Sequence, residues 1–125
     1  MDKIKTVILW ALQILFALFY TIQGIIKFNS PSWIERFRAY GYPDHFYLVI
    51  GVLEVLGGVS LLIPKMTGYG AALLAIIMGG ACLTHLLHHE TPNAIVTAVF
   101  MILLGVLAYA RRPARIRSRQ EPQKP

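Results

Sequence analysis

Glu54 is an acidic residue set inside a long apolar run, Phe46 to Pro64, and that position defines the chemistry open to this chain. A carboxylate facing hydrocarbon is costly, so it must be protonated or meet a cation or an amide. Lys27 and His85 stand at the ends of other apolar runs and are the partners within reach. Held together away from water, Glu54 and His85 can relay protons or hydrogen-bond a carbonyl, while Lys27 holds the local charge. The competing reading is that the same buried polar contact locks helices together and binds nothing.

The run His85-Leu86-Leu87-His88-His89-Glu90 raises a second chemistry. On a continuous helix His85 and His89 share a face at i and i+4, where two imidazoles can hold a metal ion or haem. Glu90 is the one further ligand type nearby, so histidines capping a helix end at an interface are the reading adopted, with no metal expected. The single cysteine, Cys82, leaves no internal disulfide and no paired-cysteine redox motif.

Composition and the length of the apolar runs determine which helices carry these residues. The chain is 56% hydrophobic and only 14% charged, too few polar residues to cover a water-soluble domain of 125 residues. Four apolar segments, 6–26, 46–64, 68–87 and 92–110, are each about 17 to 21 residues long, enough to cross roughly 30 Å of hydrocarbon. They predict an all-α fold, a four-helix transmembrane bundle in one domain over residues 1–112. The first follows Lys3 and Lys5 as a secretory signal would, but it exceeds a signal's apolar core and reads as a permanent helix.

Basic residues orient the bundle. Of the twelve Lys and Arg, nine fall at the termini and in the second loop, which predicts cytoplasmic N- and C-termini in a multi-pass protein. Residues 113–125 read as a basic, disordered cytoplasmic tail able to lie on anionic lipid. With no basic folded domain, nucleic acid is not an expected partner.

The first loop is longer than a turn. Asn29-Ser30-Pro31 supplies a cap and a first-turn proline for a short helix over 31–40, whose Trp33, Phe37 and Tyr40 form one stripe, as in a helix lying in the membrane interface. Gln13, Ala17, Tyr20, Gly24 and Lys27 share one face of the first segment, Gly51, Glu54 and Gly58 one face of the second, and Ala71 to His85 one of the third. With the topology above, Gln23, Lys27 and His85 lie near the outer face and Glu54 roughly 12 Å below it. The expectation is that these four converge on one outer-half pocket under the interfacial helix, and that the polar chemistry of the membrane segments gathers there. Trp33, Tyr40, Tyr42, Phe46 and Tyr47 then either line a flat ring site or form an aromatic belt.

The order and spacing of several short pieces resemble the DoxX and DoxX-like family of small bacterial membrane proteins. They are Gly24-Ile25-Ile26-Lys27, Tyr40-Gly41-Tyr42-Pro43, Gly51 to Gly58 running on to Leu61-Leu62-Ile63-Pro64, and Met78-Gly79-Gly80-Ala81 leading to His85. The resemblance implies a four-helix fold in the bacterial inner membrane and, for some members, association with quinone-linked oxidoreductases. The family's recurring Lys, Glu and His match Lys27, Glu54 and His85; Tyr40 stands where other members carry Trp.

The reading that follows is an accessory membrane subunit of a redox system, binding a quinone or similar amphiphile through Gln23, Lys27, Trp33, Tyr42, Glu54 and His85, with membrane lipid and a redox enzyme as partners. The alternative is a scaffold whose small-residue faces dock another membrane protein or a second copy of the chain. A transporter driven by protonation of Glu54 ranks third, since small multidrug transporters carry their carboxylate in the first helix and this chain does not.

Overall fold

The computed structural model describes residues 2–112; Met1 and the basic tail expected at 113–125 lie outside the described residues. Among the described residues five helices follow one another: α1 (Asp2–Lys27), α2 (Pro31–Ala39), α3 (Phe46–Ser60), α4 (Thr67–Leu87) and α5 (Thr91–Ala110). Among the described residues there is no strand. The helices α1, α4 and α5 are long and apolar enough to cross a membrane, whereas α3 is a shorter apolar helix.

The second expected span thus is α-helical over 15 residues rather than to Pro64, about 22 Å at the α-helical rise. Pro64 explains the early end: it has no N–H for the Ser60 carbonyl and disfavours helical backbone at Ile63. Leu62 and Ile63 instead donate to Val59 and Ser60 in tighter turns, which carries the apolar run onward without α-helix. The interfacial helix closes at Ala39, one residue short of expectation, with Tyr40 as its C-cap.

α4 packs along α5 and α1 along α3, and α3 against α4 joins the two pairs. Phe16, Ala17 and Tyr20 of α1 meet Leu61, Leu74, Met78, Leu104 and Leu107 in the core. The faces of α1 are inverted relative to a soluble amphipathic helix. Its buried stripe holds Gln13 and Lys27, while Ile14, Leu18, Ile22 and Ile25 are exposed. Apolar side chains outward and polar ones inward is the arrangement that hydrocarbon solvent requires.

Candidate functional site

Glycines decide how closely α1 and α3 approach. A Cβ at Gly24 would stand 2.6 Å from the Gly51 carbonyl oxygen, and one at Gly58 2.6 Å from Thr21 Oγ1, so backbone meets backbone with no room for a methyl. That approach brings Lys27, in the last turn of α1, against Glu54 in the middle of α3. Lys27 Nζ donates to Glu54 Oε1 at 2.7 Å, and the two residues are 5% and 2% exposed. The ammonium also lies 4.3 Å from the centroid of the Trp33 ring, with the Arg36 guanidinium 5.1 Å from the same ring. A cation over an indole face is attracted by the ring quadrupole, so Trp33 helps seat α2 over the pair.

His85 sits in different company. Its Nδ1 meets Glu90 Oε1 at 2.9 Å, and the Tyr40 hydroxyl donates to the same oxygen at 2.8 Å. The Tyr40 ring stands edge-on to His85 and 4.9 Å from the ring of His88. A hydrogen bond joins the Tyr42 and Thr84 hydroxyls. The C-terminal end of α2 is therefore strapped to the C-terminal turn of α4. The hydrogen bond from His85, then that from Tyr40, holds the Glu90 carboxyl below its usual range. Burial, then donation to Glu90, pushes the Tyr40 phenol up to about 12.

With Nδ1–H directed at a carboxylate, the imidazole is held in one tautomer and presents Nε2 as the reactive nitrogen. His85 lines a cavity of about 320 Å³, at the lower end of the roughly 300–1,000 Å³ of small-molecule sites. Its walls are the rings of Trp33, Phe37, Tyr40, Tyr42 and Phe46 above and Ile50, Leu53, Leu73, Ile76 and Ile77 below. Ile76 is 73% exposed, so the cavity borders the outward apolar face. Tyr47 lines a separate surface recess with Ile34 and His45.

Gln23, Lys27 and Glu54 line another cavity, of about 190 Å³, with Trp33 again in its wall. The four residues expected to converge are thus divided by Trp33 into two groups: Gln23, Lys27 and Glu54 together, His85 apart with Glu90 and Tyr40. The cause is the loop after α4, which returns Glu90 to His85 and supplies an anion closer than α3 does. The same loop separates His85 from His89. The helix ends at Leu87 and His89 has left-handed backbone (φ 59°), so the i, i+4 relation of a continuous helix does not hold. Among the described residues no three His, Cys, Asp or Glu side chains are grouped to hold a metal.

Two features were not singled out by residue type. Tyr20 lines the second cavity at 1% exposure, and its hydroxyl has no hydrogen-bond partner among the described residues. Its signal was its place on the stripe with Gln13 and Lys27, where a tyrosine reads as core. The other is a polar cluster at the opposite end of the bundle, which corrects the expectation that polar chemistry gathers near one face. Gln13 Nε2 donates to the Leu61 carbonyl at 3.0 Å, and Gln13 Oε1 accepts from Arg111 Nε at 2.8 Å. Thr67 Oγ1 lies 3.0 Å from the same carbonyl. One buried amide therefore ties α1 to the ends of α3, α4 and α5.

A chain that is helical throughout its described residues, with three helices long and apolar enough to cross a membrane, apolar outward faces and a buried ion pair between α1 and α3, is a helical membrane protein. It belongs to the DoxX-like family, whose profile matches residues 11–107. It is 31% identical over 102 residues to the uncharacterised protein YdgD of Bacillus subtilis (strain 168), across 77% of this chain and 90% of that protein. No solved structure gives a significant match.

Proposed function

We propose that this chain is an accessory membrane subunit of a quinone-linked redox system, binding the ring of a quinone or similar amphiphile in the cavity faced by His85. The supporting observation is the line of Tyr40, Glu90 and His85 at the polar end of an aromatic-walled, otherwise apolar cavity. A flat ring stacks among Trp33, Phe37, Tyr42 and Phe46, and an isoprenoid tail leaves past Ile76 into lipid. His85 Nε2 hydrogen-bonds the ring oxygen: it accepts from a quinol hydroxyl, or donates to a quinone carbonyl once protonated, with Glu90 stabilising the imidazolium. The residues supply binding and proton handling; electrons pass between the ring and a partner enzyme.

In this reading four segments cross the bacterial inner membrane, α3 completing its span with the apolar turns after Ser60. Both termini are cytoplasmic, on the strength of the nine basic residues on that side. Thermal unfolding of the purified protein with decylubiquinone tests the ligand. Ligand at a hundredfold its Kd adds about 2.7 kcal/mol, so the midpoint rises in the wild type and about half as far in His85→Ala, where one lost hydrogen bond weakens binding about tenfold. An unmoved wild-type midpoint at saturating quinone removes the reading.

The Lys27–Glu54 pair favours a second reading, a scaffold without small-molecule chemistry, because it is closed on itself at 2.7 Å. Crosslinking from Trp33 in native membranes then finds a stoichiometric protein neighbour or a second copy, and quinone has no effect.

A further inference from the structure

Behind Trp33, the cavity of about 190 Å³ holds an unused hydrogen-bond donor. The Tyr20 side chain is buried at 1% exposure, yet its hydroxyl has no partner among the described residues. Buried donors are nearly always satisfied, and leaving one unmet costs about 1–3 kcal/mol. Around it stand the carboxamide residue Gln23 and the paired Lys27 and Glu54, and Phe19, Met78 and Phe100 supply apolar wall.

We propose that Tyr20, Gln23, Lys27 and Glu54 form a second binding site, distinct from the cavity faced by His85, for a neutral one-ring carbonyl compound. The chemistry of the lining selects this class. Tyr20 offers a donor, so the ligand brings an acceptor oxygen. Lys27 and Glu54 already neutralise each other at 2.7 Å, and an ionic ligand would have to break that pair while losing its own hydration. An apolar cavity of roughly 150 Å³ holds benzene, so about 190 Å³ holds one ring with a small substituent. Trp33 is the shared wall of both sites.

The test uses the full chain in detergent with Trp10→Phe, which leaves Trp33 as the sole tryptophan, and acetophenone as probe. Acetophenone quenches Trp33 fluorescence saturably, and its carbonyl stretch moves to lower wavenumber on binding. Tyr20→Phe weakens this binding about tenfold, the worth of one lost hydrogen bond, and abolishes the band shift. Its thermal midpoint stays level or rises, because an unmet hydroxyl has been removed. Benzoate and benzylammonium bind more weakly than the ketone. Equal acetophenone affinity in Tyr20→Phe, quenching without saturation, or ions bound as well as the ketone overturns the proposal. So does competitive displacement of acetophenone by decylubiquinone, which makes the two cavities one site. Acetophenone binding that persists where decylubiquinone fails to bind leaves this site standing without the quinone reading.

Discussion

Lys27 Nζ stands 2.7 Å from Glu54 Oε1 beneath the ring of Trp33, and this contact joins α1, α2 and α3 at one buried point. Its energetics are asymmetric. Forming the pair recovers little beyond the cost of desolvating two charges, whereas removing one partner strands the other. Lys27→Met is expected to destabilise the protein by about 3–5 kcal/mol, and Lys27→Met with Glu54→Leu to recover most of that loss. Unfolding by SDS titration in mixed micelles measures both; a double variant no better than the single one would show that the pair is more than a lock.

The approach of α1 to α3 depends on Gly24. Gly24→Ala puts a methyl 2.6 Å from the Gly51 carbonyl oxygen, where backbone must yield, while Gly105 has open space around it. Overpacking of this kind costs about 1–3 kcal/mol, so Gly24→Ala lowers the unfolding midpoint and Gly105→Ala leaves it in place. Equal midpoints would mean that the helices are not held at the spacing described.

Much of this was legible from residue types, because hydrocarbon leaves a chain few choices. Long apolar runs gave the helices, and the spacing of Gly24, Lys27, Gly51 and Glu54 gave the face on which α1 and α3 meet. The division of the outer cluster was not legible, since it depends on a loop. His89 turns through left-handed backbone, Glu90 comes back to His85, and no helical periodicity reports such a return. Gln13 was visible on its stripe, but its partners are a main-chain carbonyl freed near the Pro64 break and Arg111, 98 residues away.

The strap between α2 and α4 carries a pH dependence. Glu90 is held below its ordinary 4.5 chiefly by the His85 hydrogen bond, so its contribution to docking is full above that pH and is lost as pH falls through the lowered value. Tyr40 is raised from 10.0 to about 12, so its contribution is full below pH 10 and lost as pH rises toward 12. The thermal midpoint is therefore expected to show a plateau between these limits as far as the strap contributes. Glu90→Gln removes the acid-side loss due to this group, and Tyr40→Phe the alkaline one. Melting curves across pH that are identical in wild type and variants would contradict the assignment.

At the opposite end, Gln13→Leu leaves the Arg111 Nε–H without its buried acceptor, while the Leu61 carbonyl keeps Thr67 Oγ1 as a donor. An unsatisfied group of this kind costs about 1–3 kcal/mol, and the loss appears as a lower SDS-unfolding midpoint. Decylubiquinone affinity is expected to be unchanged, because none of these residues lines the cavity faced by His85. A matching loss of quinone affinity would couple the two ends of the bundle.

Gly80 gives the most direct access to that cavity. It lines the wall, and a Cβ there would meet nothing within 4 Å, so Gly80→Phe can fill the space with little strain on the helix. Decylubiquinone binding, read as the rise in thermal midpoint, is the measurement. A rise is expected in the wild type and in Gly80→Ala, and none in Gly80→Phe, whose ligand-free midpoint stays at or above the wild-type value. An undiminished rise in Gly80→Phe would place the quinone outside the cavity faced by His85.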